Sequence, residues 1–489
     1  MSPSTQRIVS TKRRWLILSI LALTQLVVVL DSTIVNIALP QAQQALGLSD
    51  SQRQWVVTAY ALAFGALLLL GGRIADFWGR KRAYLVGMIG FGLSSAFGGF
   101  AQSGTELIVA RGLQGAFAAL MAPAALALLT MTFPRGRERN TAFAVFGSVA
   151  GAGAAIGLVL GGILTEFADW RWCLWVNVPV AVAAVIAGTV YMSESKAAGD
   201  NRYDVFGTIT VVLGLGSLVY GFTLAENGWA EPSTIGFLAA GLGLLTLFVW
   251  IESRIDHPLL PLRVVLNRVR GGTFLVQAVA GSVIIGAVLF LVFHLQIVLG
   301  FGPLEAGLAT LPLSLTILLV APIGTKMLSS VGPRPLMIVG PLCAAAALFY
   351  LSRITVGGNY LVEVLPGLIA LGIGMALLFV TLQNLALVGV EPRDAGAASA
   401  TSNASLQIGG SVGLSIFTTL YANAVQATPV EGAADQLTAL VNGYSAAFVG
   451  AAIAMLAASV LSAFLVRGSK ESLLPSGDHE GDHADVRVG

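Results

Sequence analysis

The sequence predicts an all-α integral membrane protein of about fourteen spans, built as two six-helix bundles with two extra helices between them and both termini in the cytoplasm. Three observations predict it. Only 11% of the 489 residues are charged while 56% are apolar, against about 25% charged in ordinary soluble domains, and the mean hydropathy is +0.83. Apolar runs of about 20 residues recur along the chain, the length a helix needs to cross ~30 Å of hydrocarbon at ~1.5 Å per residue. The basic residues fall on alternate sides of these runs. No ten-residue alternating pattern of the kind a membrane barrel needs is visible.

The runs lie at 15–40, 54–72, 83–101, 106–131, 141–164, 173–192, 205–225, 233–252, 271–298, 305–328, 336–354, 361–388, 396–424 and 443–466. With the N-terminus inside, 23 Lys and Arg residues are cytoplasmic, Arg53, Arg171 and Arg353 are outside, and Arg111 lies within a span. That asymmetry fixes the orientation. Arg7, Lys12, Arg13 and Arg14 precede a run too long for a cleaved signal and without a small-residue cleavage site before the next span, so the first helix is expected to be retained.

Cytoplasmic linkers divide the chain. Residues 1–14 form an N-tail, 15–192 a first six-helix bundle, 193–204 a polar linker, 205–252 the extra pair, 253–270 a second linker with Pro258 and Pro261, and 271–466 a second bundle. Residues 467–489 read as a disordered acidic tail, in which His479 and His483 are more simply solvated than metal-binding. Gly72…Gly79-Arg80 after the second span is loosely echoed by Gly324…Gly332-Pro333-Arg334 after the tenth, as parallel transporter halves would require. The extra pair shows no polar face and reads as a spacer or lipid-contact element.

Several classes are excluded. A net charge of +2 gives no nucleic-acid partner, and Cys173 and Cys343 offer neither a disulfide framework nor metal spacing. Phosphate-binding loop, clustered metal ligands and nucleophile elbow are all missing. The chain is therefore read as a transporter rather than an enzyme, without cofactor.

The stretch Leu30–Pro40 places Asp31 inside the first span. An ionisable group at bilayer depth costs roughly 2.5–3.5 kcal/mol by insertion scales and marks a proton, ion or substrate site, unless a buried partner merely satisfies it. Asp31 lies ~13 Å and Arg111 ~8 Å from the outer ends of their spans by helical rise, so both occupy the outer half. Paired, each lowers the burial cost of the other, and protonating Asp31 would leave Arg111 uncompensated.

Gly72-Arg73-Ile74-Ala75-Asp76-Phe77-Trp78-Gly79-Arg80-Lys81-Arg82 joins the second and third spans, with glycines for a tight turn, cations to hold it in the cytoplasm and an acid suited to a helix N-terminus. This stretch resembles the loop 2–3 signature of the major facilitator superfamily. Leu30–Pro40 resembles the first-helix signature of its fourteen-spanner drug:proton antiporter branch, and Arg111-Gly112-Leu113-Gln114-Gly115-Ala116 the fourth-helix signature. Trp170-Arg171-Trp172 with Asn177 and Pro179 resembles the fifth-to-sixth connection. The resemblance covers nearly the whole chain and implies a major facilitator fold. It implies that Asp31, Arg111 and Gln114 serve the proton and substrate pathway. It further implies that Gly72, Asp76, Gly79, Arg80 and Lys81 form a cytoplasmic latch between the halves, the acid meeting a helix that begins near Gly396.

In the fifth span, Gly153, Gly157, Gly161 and Gly162 belong to a row of small residues on which another helix can approach closely. The row resembles the antiporter signature of exporter branches, with Leu158 where that signature often carries a kinking proline. Polar or soft residues mark a candidate cavity or gate: Gln25 and Asn36 on the first span, Phe117 and Met121 on the fourth, Gln277 on the ninth, Gln383 and Asn384 on the twelfth, and Asn403 and Gln407 on the thirteenth. Interhelical hydrogen bonding or core packing is the plainer account of each. His294 is expected at the outer interface.

These readings converge on a monomeric secondary transporter in the cell inner or plasma membrane. It is expected to export small hydrophobic or amphipathic drugs and antibiotics, neutral or weakly cationic, in exchange for protons. A proton-coupled importer of a metabolite, which would need a compact polar cluster at the midplane, and a non-transporting receptor or scaffold, which would need large extramembrane domains, are the alternatives.

Overall fold

The computed structural model describes residues 11–133, 137–196, 204–225, 228–255, 258–390, 395–429 and 432–466. The predicted tail 467–489, with His479 and His483, lies outside the described residues, as does most of the 193–204 linker. Among the described residues every regular element is a helix. The first block holds α1 (Thr11–Leu46), α2 (Asp50–Trp78), α3 (Arg80–Gly99), α4 (Gly104–Thr132), α5 (Arg137–Phe167), the short α6 (Trp172–Trp175) and α7 (Asn177–Tyr191). A hairpin of α8 (Val205–Leu224) and α9 (Pro232–Glu252) follows, then the single turn α10 (Leu262–Val265). The second block holds α11 (Arg268–Phe293), α12 (Pro303–Val331), α13 (Pro333–Leu351), α14 (Leu365–Leu385), α15 (Ala395–Ala427) and α16 (Ala433–Leu465).

Thirteen of these segments are long and apolar enough to cross a bilayer, α6 and α7 together counting as one. With Arg80, Lys81 and Arg82 in its first turn, α3 falls short on hydropathy, yet it is 20 residues long and packs between α4 and α7. About fourteen spans result. Several are longer than the apolar runs, because the helices continue into the polar residues that flank them. In α1 the helix runs through Pro40, because the residues that follow, Gln41–Leu46, are good helix formers.

Other spans are interrupted where a single helix was expected. The sixth breaks at Val176 between α6 and α7, the ninth ends in a π-turn at His294–Val298, and the twelfth begins with one at Tyr360–Val364. The 253–270 linker also carries α10 and the start of α11, which Asn267 caps by accepting from the amides of Val269 and Arg270. The start of α2 is set by a capping box between Ser49 and Gln52.

The echo between the halves has a backbone cause. Gly79 closes α2 at φ +128° and Gly332 closes α12 at φ +84°, and each leads at once into the next helix. A side chain at such an angle is strained, so glycine stands at both corners.

The two blocks meet through α2 against α15 and α5 against α12. One continuous apolar core runs through the second block and takes in the outer part of the first, including Leu30, Ile34, Val56, Leu107 and Trp170. A separate core fills the inner part of the first block and takes only Ala404 of the second among its buried members. The bonds that join the blocks sit at the outer end: Gln54 donates to Ser415, Gln296 to the Ile37 carbonyl at 3.0 Å, and the Leu304 amide to Glu166 at 2.9 Å. The arrangement is closed on its outer face.

The extra pair is more than a free spacer. Helix α8 packs on both α2 and α15, where Gln54 donates to Thr223 at 3.4 Å and Thr419 to the Phe222 carbonyl at 3.1 Å. Helix α9 lies behind it and leaves most of its surface exposed, as a lipid-facing helix does.

Candidate functional site

Asp31 faces the interior of the first block, on the side of α1 away from α5. The glycine row sets that placement. Gly153 lies against Leu26 and Val29, Gly157 against Thr33, and Gly161 against Ile34, all on α1. A Cβ at Gly157 would run into the Thr33 hydroxyl, and one at Gly161 would lie 3.0 Å from the Ile34 backbone oxygen. These residues are glycine because the two backbones are in near contact. Gly162 faces the other way and abuts Leu304 at the start of α12.

From that position Asp31 meets groups from two other helices. Arg111 Nη1 on α4 lies 2.6 Å from Asp31 Oδ2. Gln114 donates to Asp31 Oδ1 at 3.0 Å and accepts from Arg111 Nη1 at 2.8 Å. Asn177, the first residue of α7, donates to the same Oδ1 at 2.7 Å. Ser95 on α3 sits beneath, accepting from Gln114 at 2.6 Å and from Asn177 at 3.4 Å. Arg111 is completed by the Val56 carbonyl at 3.3 Å and by the ring of Tyr60, 4.4 Å from the guanidinium carbon. None of Asp31, Gln114, Ser95, Asn177, Arg111 and Tyr60 is more than 2% exposed.

The arrangement defines what a proton would do there. Ionised, Asp31 accepts from three donors and balances one cation. Protonated, it would leave a buried guanidinium uncompensated and aim an O–H among groups that already donate, so the network must rearrange. Pairing of Asp31 with Arg111 follows from their depths in the sequence. Ser95 and Tyr60 carried no sequence signal, and Asn177 was visible only as part of a family signature; its placement comes from the helix break at Val176.

Met121 does not line a cavity, and Phe117, half-buried, packs in the α3–α4 seam. Met121 is fully buried and packs α4 on Gly87 of α3, and the Phe117 ring covers Gly90. The notched α3 surface draws large side chains into the α3–α4 seam. Asn36 and Gln277 are buried, each with an amide oxygen lacking a hydrogen-bond partner. Gln25 is half-buried on α1, and Gln407 is half-buried with its Cβ beside Gly65 of α2. Gln383, Asn384 and Asn403 are exposed, and the last two bond back to the carbonyls of Val380 and Ser399 on their own helices.

The latch residues make their bonds inside the first block. Asp76 takes two bonds from Arg80, at 2.8 and 3.0 Å, and Lys81 Nζ reaches the Thr189 and Met192 carbonyls at the end of α7. Glu194 caps α3 by accepting from the amides of Lys81 and Arg82. A Cβ added at Gly72 would lie 3.6 Å from the Pro123 side chain, and Gly79 forms the turn. Among the described residues no bond from Asp76 to the helix that starts at Ala395 is present, and the stretch reaches the second linker through Arg73, which donates to the Pro258 carbonyl at 3.0 Å.

At the outer seam lies a cluster that the sequence did not reveal. Arg53 of α2, 3% exposed, crosses to the second block with its guanidinium carbon 4.3 Å from the Phe293 ring centre and 5.4 Å from that of Tyr421. Its own-side partners are Asp50 at 3.1 Å and Gln43 at 3.5 Å. Tyr421 stacks on Phe290 at 5.8 Å and on Tyr444 at 5.3 Å. His294, expected at the interface, is instead 1% exposed and edge-on to Tyr444, because the π-turn carries it into the bundle.

A sequence model of the Major Facilitator Superfamily matches residues 21–414. The chain belongs to that superfamily. It is therefore a multi-pass plasma-membrane protein of a transporter family, not an enzyme. Curated relatives include the puromycin resistance protein pur8 of Streptomyces alboniger, 42% identical over 94% of this chain and 93% of that one. The cephamycin export protein CmcT of Amycolatopsis lactamdurans is 36% identical over 90% of each chain. The tetracenomycin C resistance and export protein of Streptomyces glaucescens is 35% identical over 84% and 77% respectively. Among solved structures, a bacterial homolog of the human lysosomal transporter Spinster, inward-facing and unoccupied, superposes with a TM-score of 0.66 over 93% of this chain and 97% of that one. At 17% identity that likeness establishes the fold alone.

Proposed function

We propose that this superfamily member exports small hydrophobic or amphipathic antibiotics from the cytoplasm in exchange for protons, by alternating access. The observation that carries the reading is the Asp31 carboxylate, wholly buried and held by Arg111, Gln114 and Asn177. Its ionised and protonated forms satisfy that cradle so differently that proton occupancy biases the packing of α1 against α3, α4 and α7, and only such a differential interaction can shift a two-state equilibrium. Relatives whose names record resistance to or export of puromycin, cephamycin and tetracenomycin support the substrate class. A site with one balanced charge pair suits neutral or weakly cationic molecules. The antiporter acts as a monomer and needs no cofactor, the proton gradient supplying the driving force.

The test is uptake of a panel of dyes and antibiotics into inverted membrane vesicles, with and without an imposed pH gradient. Gradient-dependent accumulation of several amphipathic compounds is expected. Equal accumulation with the gradient collapsed would overturn proton coupling, and preferential transport of a dianionic sugar phosphate would overturn the substrate class.

A further inference from the structure

The outer aromatic cluster holds a cation that belongs to the protein itself. Arg53 is buried on rings of the opposite block, its Nε atom has no hydrogen-bond partner, and its nearest acid, Asp50, is on its own helix. Across the seam the guanidinium meets the opposite block through the faces of Phe293 and Tyr421, while its polar partners Asp50 and Gln43 lie on its own side. Beside them both ring nitrogens of His294 are buried without hydrogen-bond partners, and the Tyr444 hydroxyl has none within ordinary hydrogen-bond geometry, its nearest polar neighbour being Tyr421. Unsatisfied polar atoms in an otherwise complete apolar core are costly and point to a ligand that satisfies them in another state.

We propose that the face of Phe293, Tyr421 and Tyr444 is an exit subsite for the cationic group of an exported organic amine or onium compound. Arg53 occupies it while the outer face is closed and leaves it when the blocks part. The subsite rests on the alternating-access reading above and adds a substrate preference to it. Arg53 rides on α2 and the rings on α11, α15 and α16, so opening the outer seam separates the guanidinium from the rings without any local rearrangement. An aromatic face then stands open on the side through which substrate leaves. Tyr444 and His294 offer the bound molecule a donor and an acceptor. When the seam closes again, Arg53 returns and expels the substrate cation by competing for the same rings, which makes release one-way.

The experiment uses the full chain in detergent or lipid and tetraphenylphosphonium as probe. Arg53→Gln removes the resident cation, and probe binding is expected to tighten by about tenfold, the range of a desolvated cation–ring contact. That gain should vanish in the Arg53→Gln/Phe293→Leu double variant, and Arg53→Lys, which keeps a cation on the rings, should bind as the unmodified protein does. No gain in Arg53→Gln, or a gain that survives loss of Phe293, overturns the proposal. In vesicles, Phe293→Leu is expected to lower the ratio of tetraphenylphosphonium export to export of a neutral drug by about tenfold. An unchanged ratio with both rates reduced would make the cluster a gate only and overturn the subsite. Absence of any export by the unmodified protein would instead strike the function proposed above, with the binding readout unaffected.

Discussion

Asn177 donates its side-chain amide to Asp31 at 2.7 Å, from the first turn of α7 to the outer half of α1. The contact changes the character of the site. An ion pair between Asp31 and Arg111 joins two helices, whereas the carboxylate with three donors joins α1 to α4 twice and to α7 once, over a floor supplied by Ser95 of α3. A change in the charge of Asp31 is felt by four helices of the first block at once, as a switch that reorients a whole bundle requires.

Replacing Asp31 with Asn tests coupling. The amide keeps the volume but loses the charge, and breaking a buried pair costs about 3–5 kcal/mol because the remaining charge is left bare. The variant is expected to lose pH-gradient-driven export in inverted vesicles, with rates normalised to protein in the membrane, and to melt at lower temperature. Export at the unmodified rate would refute a coupling role.

Asn177→Ala removes one charge-assisted bond from the same carboxylate, worth about 1.5–3 kcal/mol. Ser95→Ala removes an acceptor that two neutral amides share and should cost about 1 kcal/mol. Thermal unfolding in detergent should therefore rank Asn177→Ala below Ser95→Ala, and gradient-driven export should fall in the same order. The reverse order would show that Asn177 merely fills space.

Much of this was legible in the sequence, for reasons that differ by residue. Run lengths gave the spans because they are set by the bilayer, not by tertiary contacts. Asp31 and Arg111 stood out because charge at that depth is expensive, and the glycine row because backbone contact leaves no room for a side chain. What escaped detection depends on packing between distant segments. Ser95, Tyr60 and the ring cluster under Arg53 are residue types found throughout membrane bundles, and only the crossing of helices makes them partners. Met121 was assigned to a cavity because periodicity cannot distinguish a face lining a cavity from one filling the notches of a glycine-rich neighbour.

Glu194 was invisible for a related reason: it lies 113 residues from Lys81, whose amide it caps. Removing a side-chain cap costs about 1 kcal/mol, which in a local opening equilibrium is roughly a fivefold change. Glu194→Ala is expected to speed hydrogen exchange at the Lys81 and Arg82 amides by about that factor, with the Asp31 network unaffected. Unaltered protection at those two amides would show that the turn at Gly79 is held by Asp76 and Arg80 alone.

Gly162 and Gly307 permit a close approach of the two blocks. A Cβ at Gly162 would lie 2.6 Å from the Leu304 Cα, and one at Gly307 would strike the Leu158 carbonyl, so in both cases the obstacle is backbone that cannot rotate aside. Gly162→Ala should therefore wedge α5 away from α12 at the outer seam, and overpacking of this kind costs about 1–3 kcal/mol in the closed state. Because the outward-open state separates those helices, the wedge should cost little there and shift the balance toward it by about 5- to 150-fold. Gly147, on the same helix, has no atom within 4 Å of an added Cβ and provides the control, Gly147→Ala. Distances between spin labels at the outer ends of α5 and α12 read the populations directly. Longer distances are expected in Gly162→Ala and unmodified ones in Gly147→Ala, and identical distributions in both variants would show that the α5–α12 contact does not control opening.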